Sequence, residues 1–207
     1  MKINVMGTSG SGKSTFSKKL SKKINHIYIE MDELHWNSDW VESTNEEFFK
    51  KLKKNLSSEN WILDGNYYKA QDIKWEKINQ VIFLDLPFWL VLFRVIRRSI
   101  SRAIKREKLW HGNKESLIRL FFSKESMIVH TFRTFQKNRE RFYKLSKSKN
   151  YKYIEFIKLK SQKEVDEFLS NYRLVNGKKM IIKISWVIGI VFMSITIALP
   201  ILDIFLE

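Results

Sequence analysis

Lys13 and Ser14 end the run Gly7-Thr-Ser-Gly-Ser-Gly-Lys-Ser14, whose composition suits the holding of phosphate. Gly7, Gly10 and Gly12 let the backbone curl toward an anion with no Cβ in the way. Ser9, Ser11 and successive backbone N–H groups are read as the cradle, aided by the start of the helix that follows. Lys13 is expected to reach the β- and γ-phosphates of a nucleotide. The Ser14 hydroxyl is expected in the Mg²⁺ shell, with Thr15 completing the nucleotide-binding set. Apolar Ile3, Val5 and Met6 precede the loop and a helical pattern follows it. That is the strand, turn and helix context the motif requires.

Three carboxylates follow apolar runs. Asp32 comes shortly after the run 26–29, with His35 and Trp36 close behind as candidate walls of an acceptor pocket. Open α/β sheets bind ligands beyond strand C-termini, where these residues would lie. Asp64 ends Trp61-Ile-Leu-Asp64. It is expected near the transferred phosphoryl group, holding either the acceptor hydroxyl or a Mg²⁺-bound water. Asn66 and Tyr67 are read as substrate contacts. Asp85 ends Val81-Ile-Phe-Leu-Asp85 and is expected on the Mg²⁺ side. The cations come later in the chain. Arg94, Arg98 and Arg102 recur every fourth residue and so share a helix face. Guanidinium forks match phosphate oxygens. Arg98 and Arg102 are expected to offset charge developing in phosphoryl transfer. Arg94 and Arg133 are further substrate contacts. His111 and His130 are isolated, without the spacing of metal ligands.

These residues need elements to position them. Helical patterns cover 13–23, 44–56, 88–106, 117–122 and 127–143, and a last helix follows 160–163. Thr44 and Glu47 have the spacing of a capping box. Strand patterns cover 26–29, the run ending at Asp64, 81–85 and 153–159. Residues 108–114 read as a break or lid tip, and 160–163 are expected over the base end of the nucleotide.

The chain has 207 residues, 44% hydrophobic, enough for one good-sized domain and an appendage. It has no cysteine, which excludes disulfides and thiolate metal sites. The first residues run straight into a strand, leaving no room for a cleavable signal segment. The net charge of +16 attracts polyanions, but no zinc finger or RNA-reading motif favours a nucleic-acid partner.

Residues 173–183 form a basic linker, and residues 184–202 carry no charge. At about 1.5 Å per residue, that stretch approaches the ~30 Å of a bilayer core. It is expected to form a transmembrane helix. Arg173, Lys178, Lys179 and Lys183 precede it, whereas Asp203 and Glu207 follow it. This asymmetry puts the domain at 1–172 in the cytoplasm of a single-pass membrane protein.

The phosphate loop, Met31-Asp-Glu-Leu-His-Trp36, Trp61-Ile-Leu-Asp-Gly-Asn-Tyr67 and Ile82-Phe-Leu-Asp-Leu-Pro87 together resemble the adenylate-kinase-like P-loop proteins often labelled topology modulation proteins or AAA-family ATPases. The basic helix at 94–98, the Trp110-His-Gly-Asn-Lys-Glu115 segment and the junction at 161–164 match in kind. The resemblance covers about the first 170 residues. It implies a nucleoside monophosphate kinase-like α/β fold, a three-layer P-loop architecture with a parallel five-stranded sheet ordered 2-3-1-4-5. It also implies an ATP site at 10–15, a basic lid from 94–106, and Asp32 and Asp64 on the acceptor side. The uncharged tail departs from the family's usual architecture. The expected function is a Mg²⁺-dependent kinase acting on a small-molecule or nucleotide acceptor. The alternatives are a nucleotide-gated regulatory ATPase at the membrane and a nucleic-acid-associated protein.

Overall fold

The computed structural model describes residues 1–113, 126–175 and 178–181. The chain divides into two compact units, Met1–Ser170 and Asn171–Glu207.

The first unit is built on a five-stranded sheet. Strand β1 (Lys2–Gly7) is buried from Ile3 onward, and over that buried part only Asn4 is polar. Near-continuous burial of this kind marks a strand covered on both faces. β3 (Trp61–Asp64) and β4 (Gln80–Leu84) flank it, with β2 (Ile27–Glu30) and β5 (Glu155–Leu159) at the edges. The order is β2-β3-β1-β4-β5 and every pairing is parallel. The sheet order matches the one the resemblance implied. Parallel pairing puts the strand C-termini at one edge, where the sequence carries Gly7, Glu30, Asp64 and Asp85.

Helix α1 (Lys13–Ile24) follows the phosphate loop and buries Phe16 and Leu20, one turn apart. The short helix α2 (Met31–His35) leads directly out of β2. α3 (Asn45–Asn55) buries Phe48 and Leu52 at the same spacing, each worth ~1.5–3 kcal/mol removed from water. Its capping box is formed: Glu47 N–H donates to Thr44 Oγ1 and Thr44 N–H donates to Glu47 Oε2, both at 3.2 Å. α4 (Gln71–Trp75) sends Trp75 into the core. α5 (Phe88–Ile104) starts after Pro87 and packs on α6 (Met127–Lys147). Phe142 of α6 stacks on Phe83 of β4, with ring centroids 4.6 Å apart. α7 (Gln162–Asn171) follows β5.

Two short elements, α2 and α4, were not expected from the sequence. Five residues hold too little of a helical period to be legible. The helix expected at 117–122 lies outside the described residues.

In the second unit, β6 (Tyr172–Val175) pairs antiparallel with β7 (Lys178–Ile181), all but Tyr172 lying in the stretch 173–183 read as a linker. The expected transmembrane segment at 184–202 lies outside the described residues. Among the described residues, no helix is long and apolar enough to cross a membrane.

Candidate nucleotide-binding site

The loop between β1 and α1 winds tightly. Ser11 N–H donates to the Thr8 carbonyl at 3.0 Å, and Gly12 precedes the helix with φ of 91°. No side chain caps α1, so its leading N–H groups face outward toward the anion side. Ser11 Oγ is buried without a hydrogen-bond partner. Gly10, with φ of 85°, sits directly beneath α5. A Cβ there would lie 2.5 Å from Val95 Cγ2 and 2.6 Å from the Val91 carbonyl oxygen. The third glycine of the loop admits Arg94, whose Nη1 would lie 3.8 Å from a Cβ on Gly12. Arg98 Nη2 donates to Ser9 Oγ at 3.0 Å, which draws a second guanidinium to the loop. Arg102 instead approaches Glu107 at 4.0 Å.

Asp64 lies at the end of β3, opposite Val5 in the register, and is 3% exposed. Tyr28 donates its hydroxyl to Oδ2 at 3.1 Å, and Oδ1 is buried. Burial raises the carboxyl's pKa, and Lys13 and the Ser14 hydroxyl oppose that rise. The carboxylate that interacts with both P-loop side chains is therefore Asp64. Glu30, beside it in register, is also raised by burial and by Asp64, with Lys18 at 3.8 Å opposing. Asp85 occupies a different setting. Its carboxylate faces Arg139 Nε at 2.8 Å and Lys158 Nζ at 3.8 Å.

Asn66, expected as a substrate contact, turns its amide onto the loop. Gly7 N–H donates to Asn66 Oδ1 and Asn66 Nδ2 donates to the Gly7 carbonyl, both at 3.0 Å. Lys74 of α4, 1% exposed, donates to the Asn66 carbonyl. Burial lowers its ammonium pKa to about 7. Asn4, inside β1, donates to the Leu63 and Gly65 carbonyls and accepts the Trp75 indole N–H at 3.1 Å. A buried polar lattice thus ties the first loop glycine to the turn after Asp64. Asn4 and Lys74 were not singled out from the sequence. A polar residue within an apolar strand was the available signal for Asn4, and a lysine beside Trp75 carried none.

The far side of the cleft is built around Asp32. Tyr67 donates its hydroxyl to Asp32 Oδ1 at 2.7 Å. Burial and Asp32 push the Tyr67 phenol far above its ordinary pKa, so it remains a donor. His35 is 4% exposed and packs edge-on against Trp36, Phe48 and Tyr67, with centroids 4.8 to 5.4 Å away. Burial lowers its pKa, while Glu42, 3.5 Å from Nε2, acts to raise it. His35 therefore braces the pocket from behind. Trp36, Trp40 and Trp110 meet edge to face in series. Asn113 pins this wall by accepting from Trp40 N–H and donating to the Asn37 carbonyl, both at 2.8 Å.

Arg94 donates to Gln162 Oε1 at 2.9 Å, and Gln162 donates to Asp166 at the same distance. Both border a cavity of about 300 Å³ between the outer side of α1 and the start of α7, floored by Leu84, Val165 and Leu169. Arg133 lies on the exposed side of α6. His130, one turn earlier, was set aside in the sequence, yet its lowered pKa reflects burial first and then Lys13, with Asp32 opposing.

A parallel sheet ordered 2-3-1-4-5 with a glycine-rich loop at the central strand defines a P-loop nucleotide-binding protein of kinase-like fold. An AAA domain family model matches residues 3–119, and the chain belongs to that family. It is 30% identical over 127 residues to "Uncharacterized protein YqaC" of Bacillus subtilis (strain 168), covering 60% of this chain and 71% of that protein. It is 34% identical over 73 residues to "Putative adenylate kinase" of Thermococcus onnurineus (strain NA1), covering 32% of this chain and 41% of that protein. A gluconokinase structure from Sinorhizobium meliloti 1021 superposes with a TM-score of 0.45 at 16% identity, over 82% of this chain and 87% of that one. That superposition is too loose to bear on the substrate.

Proposed function

We propose that this protein is a Mg²⁺-dependent kinase that transfers the γ-phosphoryl group of ATP to a small-molecule or nucleotide acceptor. The observation that carries the reading is the uncapped start of α1, where Lys13 and Ser14 interact with the buried carboxylate of Asp64. In this reading the loop N–H groups and Lys13 hold the donor phosphates. The cavity beside Gln162 takes the base and ribose, with Arg94 at its edge. Arg98 carries positive charge to the transferred group from its place on Ser9. The wall at Trp36, Trp40 and Trp110 limits the approach of water. Orientation and fixed charge supply most of the rate gain.

The residues present fit a magnesium ion. Among the described residues no cluster of three or more His, Cys, Asp or Glu could hold a metal alone. Mg²⁺ is commonly bound by one or two protein groups together with substrate phosphates. Ser14 and the buried carboxylate of Asp64 are the groups that would hold it, whereas the Asp85 expected from sequence faces Arg139 Nε at 2.8 Å. When bound, it neutralises charge on the β- and γ-phosphates.

The test is binding of a fluorescent ATP analogue with Mg²⁺, followed by ADP release. Lys13→Ala is expected to lower turnover by about 10²–10³-fold with an unchanged circular dichroism spectrum. A folded protein that binds no ATP removes the reading. The uncharged stretch 184–202 supports a further element, placement of the kinase at a membrane by a single C-terminal helix.

A further inference from the structure

Tyr28 stands in β2 opposite Ile62 of β3, and Glu30 stands opposite Asp64. Residues two apart along a strand share a face, so these four side chains belong to one face of the sheet. An aromatic side chain is long enough to reach its diagonal neighbour, two residues further along the next strand. The Tyr28 hydroxyl does so and donates to Asp64 Oδ2 at 3.1 Å. The same carboxylate interacts with Lys13 and Ser14 of the phosphate loop. Asp64 therefore meets β2 and the start of α1 at once.

Tyr28 is itself held. Lys18 of α1 places its ammonium 5.2 Å from the centre of the Tyr28 ring and 3.8 Å from Glu30 Oε2. Glu30 competes with Asp64 for the one phenolic proton, since the hydroxyl interacts with both carboxylates. The Lys18 charge offsets Glu30 and favours donation to Asp64. A carboxylate free to turn about its Cβ–Cγ bond presents its oxygens in many directions. A donor on one oxygen fixes the plane of the group and so aims the other oxygen.

We propose that Tyr28 is a positioning residue of the phosphoryl-transfer site, its hydroxyl setting the Asp64 carboxylate for the uptake of Mg²⁺ with ATP. The proposal rests on the kinase reading above and adds to it a residue that acts through Asp64. Partners that orient a metal-holding group commonly govern metal affinity by about 10–100-fold. Tyr28→Phe removes the hydroxyl oxygen alone, and the ring keeps its place under Lys18. The loss should therefore fall on the response to Mg²⁺ and leave the hold of the loop N–H groups and Lys13 on the phosphates.

The experiment uses the full chain in detergent and a fluorescent ATP analogue, bound first with EDTA and then across a Mg²⁺ titration. Wild-type protein that binds no analogue under either condition overturns the kinase reading instead. The expected wild-type result is binding that tightens with Mg²⁺. In Tyr28→Phe the Mg²⁺ midpoint should rise by about 10-fold, with the Kd in EDTA and the circular dichroism spectrum as in the wild type. Asp64→Asn should abolish the Mg²⁺ response. Adding Tyr28→Phe to Asp64→Asn should then change nothing more, because residues that act through one another are not additive. A Tyr28→Phe midpoint equal to that of the wild type overturns the proposal. So does a loss of binding that is as large in EDTA as in Mg²⁺, which marks a structural role alone. Wild-type binding that is the same with and without Mg²⁺ overturns it as well, as does a further loss when Tyr28→Phe is added to Asp64→Asn.

Discussion

Asn66, expected as a substrate contact, has a structural task that its sequence position did not reveal. Its place after Asp64-Gly65 suggested a substrate contact, but both ends of its amide are used on Gly7. Asn66→Ala would leave a backbone donor and acceptor unpaired, at roughly 1–3 kcal/mol for a buried group. Urea unfolding should show a loss in that range, and the KM for ATP should rise as the loop entrance loosens. Lys74 makes a prediction in pH. Its folded pKa is depressed to about 7, whereas the unfolded side chain titrates near ~10.4. Between these values the unfolded state binds the extra proton, so the stability contribution of Lys74 rises with pH across about pH 7–10 and is flat below. Lys74→Met should remove that slope, and the difference between the two proteins should reach a few kcal/mol. Equal slopes in denaturation at pH 7 and pH 9.5 would show that Lys74 is already charged in the fold.

At the scale of elements, the contact between the phosphate loop and α5 sets the geometry of the cleft. Val91 and Val95 reach the loop only because Gly10 has no Cβ. Gly10→Ala should therefore displace α5 as well as strain the loop, since φ there is positive. The expected outcome is a loss of about 1–3 kcal/mol from strain alone, with further loss from the clash. Weaker ATP binding should accompany it, measured by denaturation and by titration with the fluorescent analogue. The same contact brings Arg94 and Arg98 to the loop. Arg102, on the same helix face, approaches Glu107 at 4.0 Å. Four-residue spacing aligned the three, and the packing of α5 set Arg94 and Arg98 beside the loop.

At the scale of the whole molecule, the two units carry different messages. Met1–Ser170 holds the sheet and the cleft, and the uncharged stretch 184–202 falls in the second unit. If that stretch anchors the protein, the full chain should sediment with membranes. It should resist release by high salt and come off only with detergent. High salt separates insertion from simple adhesion of a chain with a net charge of +16, because exposed charges are screened within ~3 Å at 1 M salt. Deletion of 184–207 should move the protein to the soluble fraction. A full chain that stays soluble without detergent would remove the anchor.

The amino-acid sequence by itself determined the phosphate loop, the strands that end in Asp64 and Asp85, the capped helix after Thr44 and the amphipathic helices. These rest on local spacing, because glycine freedom, side-chain periodicity and cap chemistry act within a few residues. Only the tertiary structure decided which carboxylate sits beside Ser14. Asp64 and Asp85 end strands on opposite sides of β1, and nothing local separates them. The choice depends on cations from distant elements, since Arg139 on α6 and Lys158 on β5 occupy Asp85 and leave Asp64 to Lys13 and Ser14. The pairing of Tyr67 with Asp32 is of the same kind, because a hydrogen bond between residues 35 apart exists only once β2 and β3 lie side by side.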